Sequence, residues 1–362
     1  MSGDPVVDPA LRSAILNCIE QDGGPIFGHY KTNSLDRRLA ARFEALGSPK
    51  GDEYLARLRG EAAERQALVE CLLVGVTSFF RDPPVFEALR SHVVEPLLRV
   101  AEGALIRVWS VACSTGQEPY SLAILFAEAA EAMERSLRLH IFATDLSSRA
   151  LAVASQGVYD EEALAGLSAA RRERWFLPAG AGRWKVREEL RKMITFASHD
   201  VTRDPAFPRM DLVCARNLLI YLNQEGQERA LQLFHFALLP GGMLAVGESE
   251  LNSGHRQFFL PLPGVPGLLR RQAAATTFSG NGLERAGDKP TAAVRDPALE
   301  RKGTYGGERL PEPTELLEAW FRQRGGSGFL LDDRERVVFA FGAIWRYFPP
   351  PQGGLARFTL RD

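Results

Sequence analysis

The stretch "RVWSVACSTGQEPYSLAI", residues 107–124, decides the fold. It reads as a buried strand, a tight loop of Ser114, Thr115 and Gly116, and a helix that opens with Glu118-Pro119. A glycine-containing turn after the first strand of a doubly wound sheet lets the backbone approach a ligand at the carboxyl end of the strands. The loop is not GxGxxG. It also carries a carboxylate, Glu118, where a diphosphate would need bare helix N–H groups and a positive dipole. A phosphate-bearing ligand is therefore disfavoured.

The next strand, "HIFATD", ends in Asp145, placed like the acidic residue that accepts hydrogen bonds from ribose hydroxyls in such sheets. A ribose without phosphates beside a positive charge describes S-adenosylmethionine. Taken singly, a strand–glycine–helix turn is ordinary α/β architecture and an Asp after a strand is commonly a helix cap. Two further strands end in the same way, "ITFASHD" at Asp200 and "DLVCARN" at Asn217. Four polar strand ends on one side of a sheet exceed what capping requires.

Working outward, apolar residues between Pro9 and Val100 recur at three- and four-residue spacing, as in "LRSAILNCI", "YLARLRGEA" and "ERQALVECLLVGV". This spacing predicts a packed helical domain over residues 1–100. Beyond Gly103, short apolar runs ("ALIRVWSVA", "RLHIFATDL", "RMDLVCARN", "GGMLAVGES") alternate with helical segments ("EPYSLAILFAEAAEAM", "EGQERALQLFHFAL"). Such alternation predicts an α/β domain over residues 101–271, its parallel sheet covered by helices on both faces. Within it, residues 160–200 break the rhythm with Gly-rich turns and short alternating segments, the pattern of a small antiparallel β-subdomain. Residues 272–312 are short of large apolar side chains and rich in Gly, Pro and charge, and read as a linker. In residues 313–362 a helical "PTELLEAWFRQR" precedes two apolar strands around an Asp-Asp turn, "GFLLDDRERVVFAFG". That is too little for an independent domain. Either the tail docks on the main body or the sequence ends inside a further domain.

Composition excludes several classes. The 362 residues are 45% hydrophobic, enough for real cores, and 44 basic residues nearly cancel 45 acidic ones. No bulk field is available to hold nucleic acid or a membrane surface. Cys18, Cys71, Cys113 and Cys214 show no metal-ligand spacing, so no metal is expected, and they fit a reducing, cytoplasmic compartment. The N-terminus has neither a basic nor an apolar signal region, and no apolar run approaches the roughly 20 residues that cross a bilayer.

One more stretch, "VTSFFRDP" (residues 76–83), sets Phe79 and Phe80 against Arg81. Burying the rings is favourable, but a guanidinium beside apolar surface must find an anion or stay wet. The plain reading is a helix cap or a pair with Asp82; a family resemblance favours a substrate carboxylate, with the methionyl carboxylate of the cofactor second.

"TSFFRDPPVF", "RVWSVACSTGQEPYSLAI", "FATDLSSRALAVASQGVY", "DLVCARNLLIYLNQEGQERALQLFHFALLPGGMLAVGESE" and the earlier "HYKTNSLDRRLAARF" run in the order of the CheR family of chemotaxis methyltransferases, which residues 10–271 resemble. The resemblance implies a helical N-terminal domain on a Rossmann-like S-adenosylmethionine domain with a small antiparallel β-subdomain. It implies methyl transfer from S-adenosylmethionine to glutamate side chains of chemoreceptor cytoplasmic helices, leaving S-adenosylhomocysteine. Carried over by position, it implies cofactor contacts at Thr77, Arg81, Glu118, Asp145, Asp200, Val201, Asn217 and Leu218, with Arg81 and Tyr221 catalytic beside the transferred methyl. Departures from the commonest family pattern are Gln117, Ala215, Asp200 and Glu248. Lys31, Arg37, Arg38 and Arg42 have spacings that gather charge on one helix side; their plain reading is a solvated face, while the resemblance implies docking to acidic receptor helices. The tail resembles the opening strands of a PAS sensor domain, which keeps a second reading open: a non-catalytic module that reports cofactor occupancy. A glutamate carboxylate is already ionised near neutral pH, so its methylation needs no general base. That suits a motif set without a catalytic histidine, nucleophilic serine or metal cluster.

Overall fold

The computed structural model describes residues 7–272, apart from residues 48, 49, 74, 101, 102, 251 and 252, together with the backbone of residues 328–331 and 337–341. Residues 1–273 form one compact unit and residues 274–362 a second.

The first unit opens with α1 (Pro9–Gln21), α2 (Thr32–Ala45), α3 (Gly51–Gly60) and α4 (Ala62–Leu72). Helix α1 starts where it does because the Asp8 carboxylate accepts the Leu11 N–H and Pro9 stands in the first turn, where a missing N–H costs nothing. Ile15 and Ile19, Leu35 and Leu39, and Leu68 and Leu72 each lie one turn apart and, with Leu58, close a common core. Each such side chain contributes about 2 kcal/mol on burial. The domain also buries the carboxylate of Glu64, which receives Arg42 Nη2 at 2.7 Å and the Tyr54 hydroxyl at 2.9 Å.

The helices that follow pack elsewhere. In α5 (Pro83–Leu89), a π-helical turn (Arg90–Val94) and α6 (Glu95–Val100), the buried residues Phe86, Leu89, Val93, Val94 and Leu98 join the core of the sheet, not that of α1–α4. The described residues from Pro9 to Val100 are mainly helical, but helical periodicity says only that a face is apolar, not what covers it.

The remainder of the unit comprises β1 (Ile106–Val111), α7 (Gln117–Ala132), β2 (Leu139–Asp145), α8 (Ser148–Gln156), β3 (Val158–Asp160), α9 (Ala169–Trp175), β4 (Phe176–Pro178), β5 (Arg183–Val186), α10 (Glu188–Arg191), β6 (Ile194–Ser198), β7 (Met210–Cys214), α11 (Gln224–Ala237), β8 (Leu238–Ala245), β9 (Phe259–Pro261) and β10 (Leu268–Arg271). Among the described residues, the main sheet runs β6-β2-β1-β7-β8-β10-β9. The first five are parallel, and β10 and β9 are antiparallel to their neighbours. Successive residues of β1 serve opposite faces: Val108 packs with α7, and Trp109 packs with the α11 side. Both faces are covered, which is why these strands are almost continuously apolar.

A separate antiparallel sheet, β3-β5-β4, is the expected β-subdomain. It is shorter than residues 160–200, because Ile194–Ser198 pairs with β2 as an edge of the main sheet. Phe79 joins the two parts, with its ring edge-on to Tyr159 at 5.1 Å and to Phe176 at 5.3 Å.

In the second unit, β11 (Gly328–Leu331) and β12 (Val337–Phe341) form an antiparallel pair with a register shift between Leu330 and Leu331. These are the two strands expected around the Asp-Asp turn. The linker beyond residue 272 and the helix expected at residues 313–324 lie outside the described residues.

Candidate active site

Strands β1, β2, β6 and β7 point the same way, so the residues that follow them meet at one edge of the sheet. The chain lays β2 and then β6 on one side of β1 and crosses to the other side for β7, so the strand order reverses beside β1. Adjacent connections leave in opposite directions there and open a crevice. A cavity of about 340 Å³ occupies it, lined by Val111–Ser114, Asp145, Leu146, His199, Val201 and Arg216–Leu218 from the strand ends. Val76–Ser78, Arg81, Phe86, Glu118 and Tyr221 add to the lining, and the helical domain contributes Tyr30, Arg38 and Leu73.

Backbone strain collects around this cavity. Ala112 (φ 53°), Ser114 (φ 50°) and Asn217 (φ 60°) line it in left-handed conformations, and Arg81 sits between two more, Phe80 (φ 49°) and Asp82 (φ 60°). Non-glycine residues hold such conformations only where their surroundings impose them, and they cluster at functional sites. Gly116 does not line the cavity. It has φ 93°, and a Cβ there would lie 2.8 Å from Ala154 Cβ. The glycine therefore serves the approach of α8, and the part expected of it, close backbone approach to a ligand, falls to Ala112–Ser114.

Two carboxylates face the cavity. Asp145, at the end of β2, accepts the Ser114 N–H on Oδ2 and the Ser147 N–H on Oδ1, each at 2.8 Å. Each oxygen keeps a lone pair for a further donor. Burial raises its pKa, against the lowering effect of those backbone N–H groups. Glu118, in the first turn of α7, accepts the Ser110 hydroxyl at 2.9 Å and lies 3.7 Å from Arg216 Nη1. Burial again raises its pKa, opposed by Arg216 and the Ser110 hydrogen bond.

Across β1, the β7 side brings cations and hydroxyls. Arg81 donates to the Val76 carbonyl at 2.9 Å and forms no ion pair among the described residues. Asp82, its alternative partner, is taken by Arg216 at 2.6 Å. Asn217 donates its backbone N–H to Glu250, and its side-chain amide has no partner among the described residues. Tyr221 is covered by the Arg38 guanidinium, 5.2 Å from the ring centroid. The helical domain is clamped beside it: Lys31 N donates to Tyr221 O at 2.8 Å, and Asn223 N to His29 O at 2.8 Å. This clamp delivers Tyr30 to the cavity. Burial raises the Tyr30 pKa, and Asp200 and Asp145 add to the effect, so it stays a protonated donor.

Of the residues expected at the site, Thr77, Arg81, Glu118, Asp145, Val201, Asn217, Leu218 and Tyr221 line the cavity. Asp200 does not. Its Oδ1 accepts both the N–H and the hydroxyl of Thr202, closing a local turn. The expected docking stripe is also divided. Arg42 is consumed by Glu64 inside the helical domain, Arg38 faces the cavity and bonds the Leu72 carbonyl, and only Lys31 and Arg37 of the four are exposed. Burial lowers the Arg38 pKa. All four departures from the family pattern, Asp200, Ala215, Gln117 and Glu248, fall outside the lining; Gln117 accepts the Thr115 hydroxyl at 2.8 Å, and Glu248 is exposed.

Nothing in the sequence singles out Tyr30, His199 or Glu250. Burial lowers the His199 pKa, and Nε2 lies 2.9 Å from the Pro205 carbonyl, which places the proton of the neutral ring on Nε2. Glu250 accepts the N–H groups of Asn217 (2.7 Å), Gly247 (2.6 Å) and Ile220 (3.3 Å), and so holds the loop that carries Asn217 and Tyr221. The nearest signal is the acidic end of "GESE", which composition alone does not distinguish from a surface turn. Among the described residues no group of His, Cys, Asp or Glu can hold a metal ion, and no helix is long and apolar enough to cross a membrane.

A switch-point cavity lined by two carboxylates, with no glycine-rich phosphate cradle among the described residues, suits a cofactor that carries a ribose and a positive charge but no phosphate. A family model described as the CheR methyltransferase SAM binding domain matches residues 75–264, and one described as the CheR methyltransferase all-alpha domain matches residues 13–73. The chain belongs to the CheR methyltransferase family. It is 34% identical over 256 residues to the chemotaxis protein methyltransferase Cher2 of Pseudomonas putida, covering 68% of this chain and 93% of that one. It is likewise 34% identical over 255 residues to chemotaxis protein methyltransferase 1 of Pseudomonas aeruginosa, covering 68% and 93%. An uncharacterized 104.1 kDa protein in the hypE 3' region of Rhodobacter capsulatus is 33% identical over 351 residues; the match covers 94% of this chain but only 35% of that protein.

Proposed function

We propose that the protein transfers a methyl group from S-adenosylmethionine to glutamate side chains of chemoreceptor cytoplasmic helices. The observation that carries this reading is Arg81, a cavity-lining guanidinium with no ion pair among the described residues, whose carbonyl is bonded by Arg216 after β7, while Asp145 ends β2 on the other side of β1. The cavity fits the cofactor in size and charge: about 340 Å³ lies in the range of ligand pockets, and Glu118 and Asp145 suit a cation that carries a ribose.

When bound, S-adenosylmethionine supplies an electrophilic methyl group on a sulfonium. Asp145 accepts the ribose hydroxyls, and Glu118, Thr77, Asn217, Val201 and Leu218 complete the seat. Arg81 orients the substrate carboxylate through charge-assisted hydrogen bonds. Tyr221 directs its hydroxyl toward the reacting oxygen. No side chain needs to remove a proton, so the residues act by positioning and by displacing water. Exposed Lys31 and Arg37 begin the surface that meets acidic receptor helices.

The test is transfer of labelled methyl groups to receptor cytoplasmic fragments. Base-labile label on glutamate is expected, and its absence from all fragments while the protein still binds S-adenosylhomocysteine would refute the substrate.

A further inference from the structure

We infer that Arg216 is a positioning residue that fixes the backbone of Arg81 and ties it to Glu118. The inference rests on the role proposed for Arg81, and its side chain need not touch substrate or cofactor. Arg216 follows β7, and its side chain is 2% exposed. One nitrogen, Nη2, donates to the Arg81 carbonyl at 2.9 Å and to Asp82 Oδ2 at 2.6 Å. The other, Nη1, lies 3.7 Å from Glu118 Oε2, and the guanidinium covers the Phe86 ring at 5.5 Å. Its Nε is buried without a hydrogen-bond partner.

Such a group costs stability as placed. An arginine out of water with one unsatisfied donor is worse for folding than an apolar side chain of its size. What it supplies is geometry. Phe80 and Asp82, the residues flanking Arg81, both hold left-handed backbone, which a free loop would leave. Phe80 is fixed by its N–H on Ser121 Oγ at 2.9 Å, and Arg216 supplies the matching restraint on the other flank. Among the described residues the Arg81 guanidinium itself donates to the exposed Val76 carbonyl, so its place depends on how firmly its own backbone is set. The contact with Glu118 makes the same residue a link between the cofactor side of the cavity and the Arg81 loop.

The experiment uses Asp82→Ala and Arg216→Lys in the full chain. Asp82 is 60% exposed on its side chain, and its removal breaks one arm of the restraint but leaves the buried Arg216 short of its 2.6 Å counter-charge, so thermal unfolding is measured on both variants as the control for folding. Lysine at 216 keeps the charge but presents one nitrogen, so it cannot hold the Arg81 carbonyl and Asp82 with one nitrogen while facing Glu118 with a second. Three quantities are read: S-adenosylhomocysteine affinity by calorimetry, amide hydrogen exchange of residues 76–85, and kcat for methyl transfer. Both variants are expected to bind S-adenosylhomocysteine within about threefold of the parent, to exchange about tenfold faster in that loop, and to lose roughly 100-fold in kcat, the effect of a misplacement near 1 Å. Unchanged exchange in both variants, or affinity lost in step with rate, overturns the assignment. Where the parent itself transfers nothing, the substrate proposal fails, and exchange against affinity still decides the role of Arg216.

Discussion

Replacing Asp145 with asparagine tests the ribose seat most sharply, because the carboxylate is held on both oxygens. Ser114 N–H occupies Oδ2 and Ser147 N–H occupies Oδ1, each at 2.8 Å. An amide keeps one acceptor oxygen and presents an NH2 to whichever N–H remains, so one backbone donor is left unpaired in either orientation. A hydrogen bond to a charged acceptor contributes about 1.5–3 kcal/mol, and a buried unsatisfied donor costs about 1–3 kcal/mol. The unpaired backbone donor lowers stability in free and bound protein alike, so the weakened ribose hydrogen bond alone, about 1.5–3 kcal/mol at about 1.4 kcal/mol per tenfold, should make S-adenosylhomocysteine bind roughly 10- to 100-fold more weakly. Calorimetry measures this directly, with thermal unfolding as the control for integrity. The parent carries a pH signature as well. Burial raises the Asp145 pKa from its usual 3.8, so protons compete with the ribose hydroxyls at a higher pH than for a free carboxylate. Affinity should therefore fall as pH drops into that range, and the fall should vanish in the asparagine variant. Binding within fivefold of the parent, with the same pH profile, would remove Asp145 from the cofactor site.

Other outcomes follow from the same geometry. Arg81→Ala should abolish methyl transfer while changing S-adenosylhomocysteine affinity by no more than about threefold; parallel loss of both in rate and binding assays would make the cofactor its anion. Glu64→Gln should lower the stability of the helical domain by about 2–3 kcal/mol in urea unfolding, somewhat under a fully buried pair because Arg42 is partly solvated. Burial of Glu64 works to raise its pKa, but hydrogen bonds from Arg42 and Tyr54 outweigh this and lower it below 4.5. Its stabilisation is therefore present above pH 4.5 and lost as pH falls through the lower folded value, a slope that Glu64→Gln should flatten. Gly116→Ala should destabilise by about 1–3 kcal/mol, since φ 93° and Ala154 both oppose a Cβ; an unchanged melting temperature would refute the packing account. Methylation of receptor fragments should fall as salt rises from about 50 to 200 mM, and Lys31→Glu should reduce that dependence.

The sequence by itself determined the elements and the chemistry at their ends. Apolar spacing of three and four is intrinsic to a helix that covers a core, and short apolar runs between helices are intrinsic to a buried parallel sheet, so both are written locally. Asp145, Asn217 and Glu118 are legible for the same reason: each lies at or within three residues of the end of an element whose type its neighbours reveal. Tertiary structure alone decided which side chains consume one another. Arg42 reads as a surface charge until Glu64 is found beneath it, and Asp82 reads as the partner of Arg81 until Arg216, 134 residues away, takes it. Gly116 reads as a ligand turn until α8 closes on it. The helices of residues 83–100 read as part of the first bundle until their apolar face meets the sheet. Local sequence fixes the backbone's periodicity and the groups it carries, whereas pairing energies depend on distances of a few ångströms that only the completed packing of distant segments sets.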